Sequence, residues 1–151
     1  MSNTAQQSTN TATVPLWFWI VSILGLAWNI FGVVQYLGSL SATSDGLVAS
    51  GLTAEQAAVM LGYPTWMTIA FAVGVFGGLA GCVLLLWRKR LAVPVFLVSF
   101  IGYVILYIGD ITEGVFVAIG TSQIAILSLV VAIAAGLLWV SHYFAKKGAL
   151  V

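Results

Sequence analysis

The stretch from Gly74 to Phe96, GVFGGLAGCVLLLWRKRLAVPVF, decides how the chain is read. A glycine-rich apolar run ends at Trp87, three basic residues follow at Arg88, Lys89 and Arg90, and a second apolar run starts at once with Leu91. A surface helix of a soluble domain alternates an apolar stripe with a charged face, and neither flank of this cluster does so. The basic cluster is therefore a short turn between two membrane-crossing helices.

Crossing about 30 Å of hydrocarbon takes roughly 20 apolar residues at a rise of about 1.5 Å each. Four runs qualify: Leu16 to Tyr36, Trp66 to Trp87, Ala92 to Gly109, and Gln123 to Tyr143. Pro15, Pro64 and Pro94 mark three of the starts, where a first-turn residue has no intrahelical N–H bond to lose. Thr121 and Ser122 are the expected caps of the fourth. Composition agrees, with 62% hydrophobic and 6% charged residues and a mean hydropathy of +1.12. A soluble domain carries about 25% charge. The expected fold is an all-α integral membrane four-helix bundle over residues 15–145. It is preceded by a disordered polar tail over 1–14, too poor in apolar residues to fold, and followed by a basic tail over 146–151. The first run is read as a permanent span, because it lacks a basic n-region and exceeds the 7 to 15 or so residues of a signal h-region.

The signs of the charges give an orientation. Lysine and arginine beside spans are retained in the cytoplasm, which places Arg88 to Arg90, Lys146, Lys147 and both termini there. Asp45, Glu55, Asp110 and Glu113 fall in the two intervening stretches on the opposite side. Trp17, Trp19, Trp66, Trp87 and Trp139 lie near span ends, where interfacial anchors belong; Trp28, near mid-span, is the exception. A net charge of +1 offers no field for nucleic acid. The lone Cys82, inside an apolar run, reads as a small buried hydrophobe.

The longest loop, Gly38 to Tyr63, contains Thr53-Ala54-Glu55-Gln56, which fits a capping box. It predicts a short helix over 54–61, stopped by Gly62 before Pro64 and serving as a connector rather than a lid.

Small residues recur at helical spacing on every span. The first offers Ser22, Gly25, Asn29, Gly32 and Tyr36; the second Gly74, Gly77, Gly78 and Gly81, two overlapping GxxxG patterns on neighbouring faces. The third has Ser99, Gly102, Tyr103 and Asp110; the fourth Ala125, Ser128, Ala132, Ala135, Trp139 and His142. In lipid, where burying apolar surface gains little, such seams let helices approach closely. They predict packing within the bundle, with Gly25, Asn29, Gly32, Gly74, Gly77, Gly78 and Gly81 as helix-packing or partner-binding positions. The partner would be another membrane protein or a second copy.

Chemistry finds little purchase. His142, the only histidine, belongs at the opposite face from Asp110 and Glu113, so these three cannot share a metal. No phosphate-binding loop, dinucleotide fingerprint or serine-histidine-acid set is present, and neither enzymatic activity nor a cofactor is expected. Asp110 and Glu113, at i and i+3, share a face if the third span continues past Gly109; otherwise they are loop charges. An intramembrane carboxylate is costly and by default a functional candidate. Trp28, Asn29, Tyr36, Tyr103 and Asp110, with Tyr107, form the candidate polar or solute-binding set.

Several local patterns occur together: Trp28-Asn29 followed by Gly32, Pro64-Thr65-Trp66, and Gly77-Gly78 with Gly81 leading to Leu84-Leu85-Leu86 and the basic cluster, then Ala92 and Pro94. With these the chain resembles small bacterial four-span inner-membrane proteins often labelled "sugar transporter". The resemblance covers most of the chain after the polar tail. It implies a bacterial cytoplasmic (inner) membrane location and a transport function, without supplying a sugar-binding residue. The residues themselves favour a non-enzymatic accessory or interaction subunit, with a homo-oligomeric small-solute transporter as the alternative.

Overall fold

The computed structural model describes residues 12–151. The polar tail expected over 1–14 lies largely outside the described residues. The long helices are α1 (Leu16–Leu40), α4 (Thr65–Leu86), α5 (Ala92–Thr112) and α7 (Thr121–Lys146). All four are long and apolar enough to cross a membrane, and the chain is a multi-pass, all-α four-helix bundle. Three short helices, α2 (Ser44–Ala49), α3 (Ala54–Leu61) and α6 (Val115–Ile119), gather at the end that carries Asp110. We call this the acidic end, and the end carrying Arg88 to Arg90 the basic end.

The starts of the helices follow the local chemistry. Pro15 and Pro64 are the caps of α1 and α4, and Pro94 sits in the first turn of α5. The fourth start differs from expectation: neither Thr121 nor Ser122 caps it. Gly120, at φ +90°, is the cap, and both residues lie inside α7. The capping box of α3 forms in full, with Thr53 Oγ1 accepting from Gln56 N at 3.2 Å and Gln56 Oε1 accepting from Thr53 N at 3.0 Å. Gln56 also donates through Nε2 to Ala118 O at 3.1 Å, which ties α3 to α6. The third span does continue past Gly109, to Thr112, so Asp110 lies in its last turn. Gly114, at φ +70°, then turns the chain through a conformation other residues rarely adopt, and Val115–Ile119 becomes a separate helix.

The bundle closes through its small residues. Helices α4 and α5 make the tightest pair: Tyr103 lies over Gly74, Ser99 beside Gly77 and Phe96 over Gly81. Ser99 Oγ donates to Gly74 O at 2.6 Å across this interface. On the other side of α4, Gly78 faces Asn29 of α1, whose Nδ2 donates to Gly25 O at 2.8 Å and to Cys82 Sγ at 3.6 Å. Val75 rests against Gly32, and Leu137 of α7 against Gly25. Each glycine seam of α1 and α4 therefore meets a helix of the same chain.

The basic end is sealed. Phe18 and Phe144 meet edge to face at 4.6 Å between centroids, above a core that includes Leu85, Phe96 and Leu137. The chain then folds back after Lys147. Val151 N donates to Arg88 O at 2.7 Å, Arg90 N to Val151 O at 2.9 Å, and Arg88 Nε to Ala149 O at 2.9 Å. Arg88 occupies the left-handed region at φ 57°, and Ala149 and Leu150 are buried. The residues beyond the two lysines thus close the bundle floor.

Candidate binding cleft at the acidic end

Helix α4 lies between α1 and α5, and α5 packs on α7, but α1 and α7 do not close the ring along their whole length. They meet near the basic end through Phe18 and Phe144 and at Gly25 and Leu137. Toward the acidic end a cleft of about 520 Å³ stands between them, within the range of about 300 to 1,000 Å³ typical of small-molecule sites. Phe31 of α1 and Ile126 of α7 form its lips and are 56% and 59% exposed. Trp28 and Tyr103 line its deep end. Met60 and Leu61 of α3 contribute to its roof. The short helix read as a connector thus also covers part of this cleft.

Polar groups concentrate near the acidic end. Asp110 is fully buried, and both of its carboxylate oxygens are occupied: Tyr63 Oη donates to Oδ1 at 3.1 Å and Gln123 Nε2 to Oδ2 at 2.8 Å. Tyr63 precedes α4 and Gln123 lies in the first turn of α7, so one carboxylate joins three segments distant in sequence. Tyr63 and Gln123 line the cleft; Asp110 stands behind them. Burial, reinforced by the neighbouring carboxylate, pushes the Tyr63 phenol above its ordinary range, so it remains a protonated donor. Gln123 turns its amide nitrogen to the Asp110 carboxyl group, which leaves Oε1 as the free acceptor of that side chain. Gln35, Ser39 and Thr68 add further polar groups to the cleft wall.

The sequence-derived polar set is divided by the fold. Trp28, Asn29 and Tyr103 come together around a small void of about 10 Å³ beneath the cleft, and Trp28 and Tyr103 also face the cleft itself. Tyr36 is directed at α4, meeting Phe71 and Phe76 edge to face, and does not line the cleft. Tyr107 bonds Ser128 at 3.2 Å and packs on Phe116. Tyr63 and Gln123 were absent from the sequence set. Their positions beside a proline and beside a helix start read as loop and cap chemistry, and only packing makes them neighbours of Asp110.

The fourth small-residue seam behaves unlike the others. Ala125, Ser128, Ala132, Trp139 and His142 are exposed, on the side of α7 away from Leu127, Ala134 and Leu137 of the core, while Ala135 is half-buried and Ser128 is bonded to Tyr107 of α5. Gly136 on the same face meets nothing within 4 Å. Among the described residues, no group of three or more histidine, cysteine and acidic side chains is placed to hold a metal. No protein-family model, curated protein or solved structure matches the chain.

Proposed function

We propose that the chain is a non-enzymatic accessory subunit of a bacterial inner-membrane complex, and that it binds a helix of another membrane protein on the outward face of α7. The observation that carries this reading is the division of the seams. The glycines of α1 and α4 are covered by the chain's own helices, whereas Ala125, Ala132 and Gly136 of α7 face outward. In lipid, a face of alanine, serine and glycine allows a second helix to approach closely enough for dispersion contacts to favour association. The proposed partner therefore presents a helix of its own, with small residues opposite Ala132 and Gly136.

The test is purification in mild detergent followed by reconstitution with the protein recovered. A stoichiometric complex with a different membrane protein is expected, and Ala132→Leu should disrupt it without lowering the thermal stability of the isolated chain. A homo-oligomer that accumulates sugar in proteoliposomes would defeat the proposal. A small-solute transporter is the second reading, favoured by the cleft between α1 and α7. Against it, Phe18, Phe96, Leu137 and Phe144 fill the same bundle toward the basic end, and a single copy offers a site with one mouth rather than a path.

A further inference from the structure

We infer that the cleft between α1 and α7 is a binding site for a cationic amphiphile, a protonated amine on an apolar body. This goes beyond the accessory reading and rests on a different face of α7. Three observations lead to it. The first is the shape and lining of the cleft: aromatic and aliphatic walls from Trp28 to Val130, with polar groups concentrated near the acidic end. Such a wall accepts an apolar body lengthwise and its head at one place only. The lips at Phe31 and Ile126 give the body a lateral way in from hydrocarbon.

The second observation concerns the sense of the hydrogen bonds. Tyr63 and Gln123, both in the cleft lining, spend donors on Asp110, which leaves the Tyr63 oxygen and Gln123 Oε1 as their acceptors. No hydrogen bond to Gln123 Oε1 occurs among the described residues. Both acceptors are polarised by the carboxylate behind them, so the head that fits is a donor. A carboxylate or phosphate head would face acceptors backed by a negative charge.

The third observation is that Asp110 has no countercharge among the described residues. The five basic side chains of the sequence are Arg88, Lys89, Arg90, Lys146 and Lys147, all at the basic end. Asp110 lies 18 residues along α5 from Ala92, about 27 Å at 1.5 Å per residue. The other acidic residues, Asp45, Glu55 and Glu113, are exposed at the same end and add to the negative field at the mouth. A fully buried carboxylate in a membrane bundle is normally paired. An ammonium held on Tyr63 Oη and Gln123 Oε1 would supply the missing charge one hydrogen-bond layer away.

The experiment uses the whole chain in lipid nanodiscs and compares three probes of one chain length: decylammonium, 1-decanol and decanoate. Partitioning into empty nanodiscs of the same composition is subtracted. Decylammonium is expected to bind saturably, one per chain and roughly 10 to 100-fold more tightly than 1-decanol, the worth of a charge-assisted hydrogen bond. Decanoate should show no saturable binding. Asp110→Asn should reduce decylammonium to the affinity of 1-decanol, and Val130→Trp should abolish binding of both by filling the cleft. If Asp110→Asn does not fold, Gln123→Leu tests the same point by removing the exposed acceptor. Equal binding of the three probes, no saturable binding of decylammonium, or a cation preference that survives removal of Asp110 or Gln123 would each overturn the assignment.

Discussion

Gly78 and Asn29 form the contact that holds α1 against α4. A methyl group at position 78 would overlap Asn29 Oδ1, while the Asn29 amide is tied to Gly25 O and Cys82 Sγ and has little room to retreat. Gly78→Ala should therefore destabilise the bundle by about 1 to 3 kcal/mol, the usual cost of overpacking. Asn29→Ala loses two hydrogen bonds but also removes the obstacle. The double variant should be more stable than the two single losses added together, as measured by unfolding in detergent, and simple additivity would show that the two side chains are not coupled. Spacing alone reveals that Gly74, Gly77, Gly78 and Gly81 are packing positions. It does not reveal the division found here, with Gly78 turned to α1 and the other three to α5, because neighbouring faces of one helix give the same pattern of small residues.

At the scale of elements, the spans were legible because each apolar run is long enough to cross hydrocarbon, and the short helices were legible only where a cap announced them. Thr53 and Gln56 disclose α3; α6 is masked by an apolar stretch continuous with α5, and only the positive φ of Gly114 separates them. The site is less legible still. Asp110 stands out by its charge, but Tyr63 and Gln123 reach it from elements 47 and 13 residues away, a convergence set by packing and not by local spacing. The return of the chain onto the basic end is of the same kind. Leu150 is buried among side chains that include Phe18 and Phe144, and the Arg88 backbone adopts the left-handed region while its carbonyl accepts from Val151 N. Leu150→Ala should cost about 2 to 4 kcal/mol, in the range of core leucine truncations. Lys147→Ala, at an exposed neighbour that packs its ammonium over Tyr143, should cost well under 1 kcal/mol. Comparable losses in thermal unfolding for the two variants would mean that residues 149–151 do not brace the bundle.

For the whole molecule, the separation of charge and the incomplete ring of helices are one design. The basic end is closed by aromatic packing and by the returning chain; the acidic end is left open between α1 and α7 and is roofed by short helices. The retention of lysine and arginine in the cytoplasm predicts that the basic end faces the cytoplasm, and this prediction can be tested with little disturbance because the lone Cys82 is buried. Glu55 and Lys89 are both exposed and stand at opposite ends. In right-side-out vesicles an impermeant thiol reagent should label Glu55→Cys and leave Lys89→Cys unmodified, and in inverted vesicles the two should exchange. The parent chain should be silent in both preparations, since its thiol is covered by the packing around Asn29 and Gly25. Labelling of both positions from one side would break the four-span topology itself. Labelling with the sides reversed would keep the bundle and turn the cleft toward the cytoplasm, where any amphiphile would have to enter from the inner leaflet.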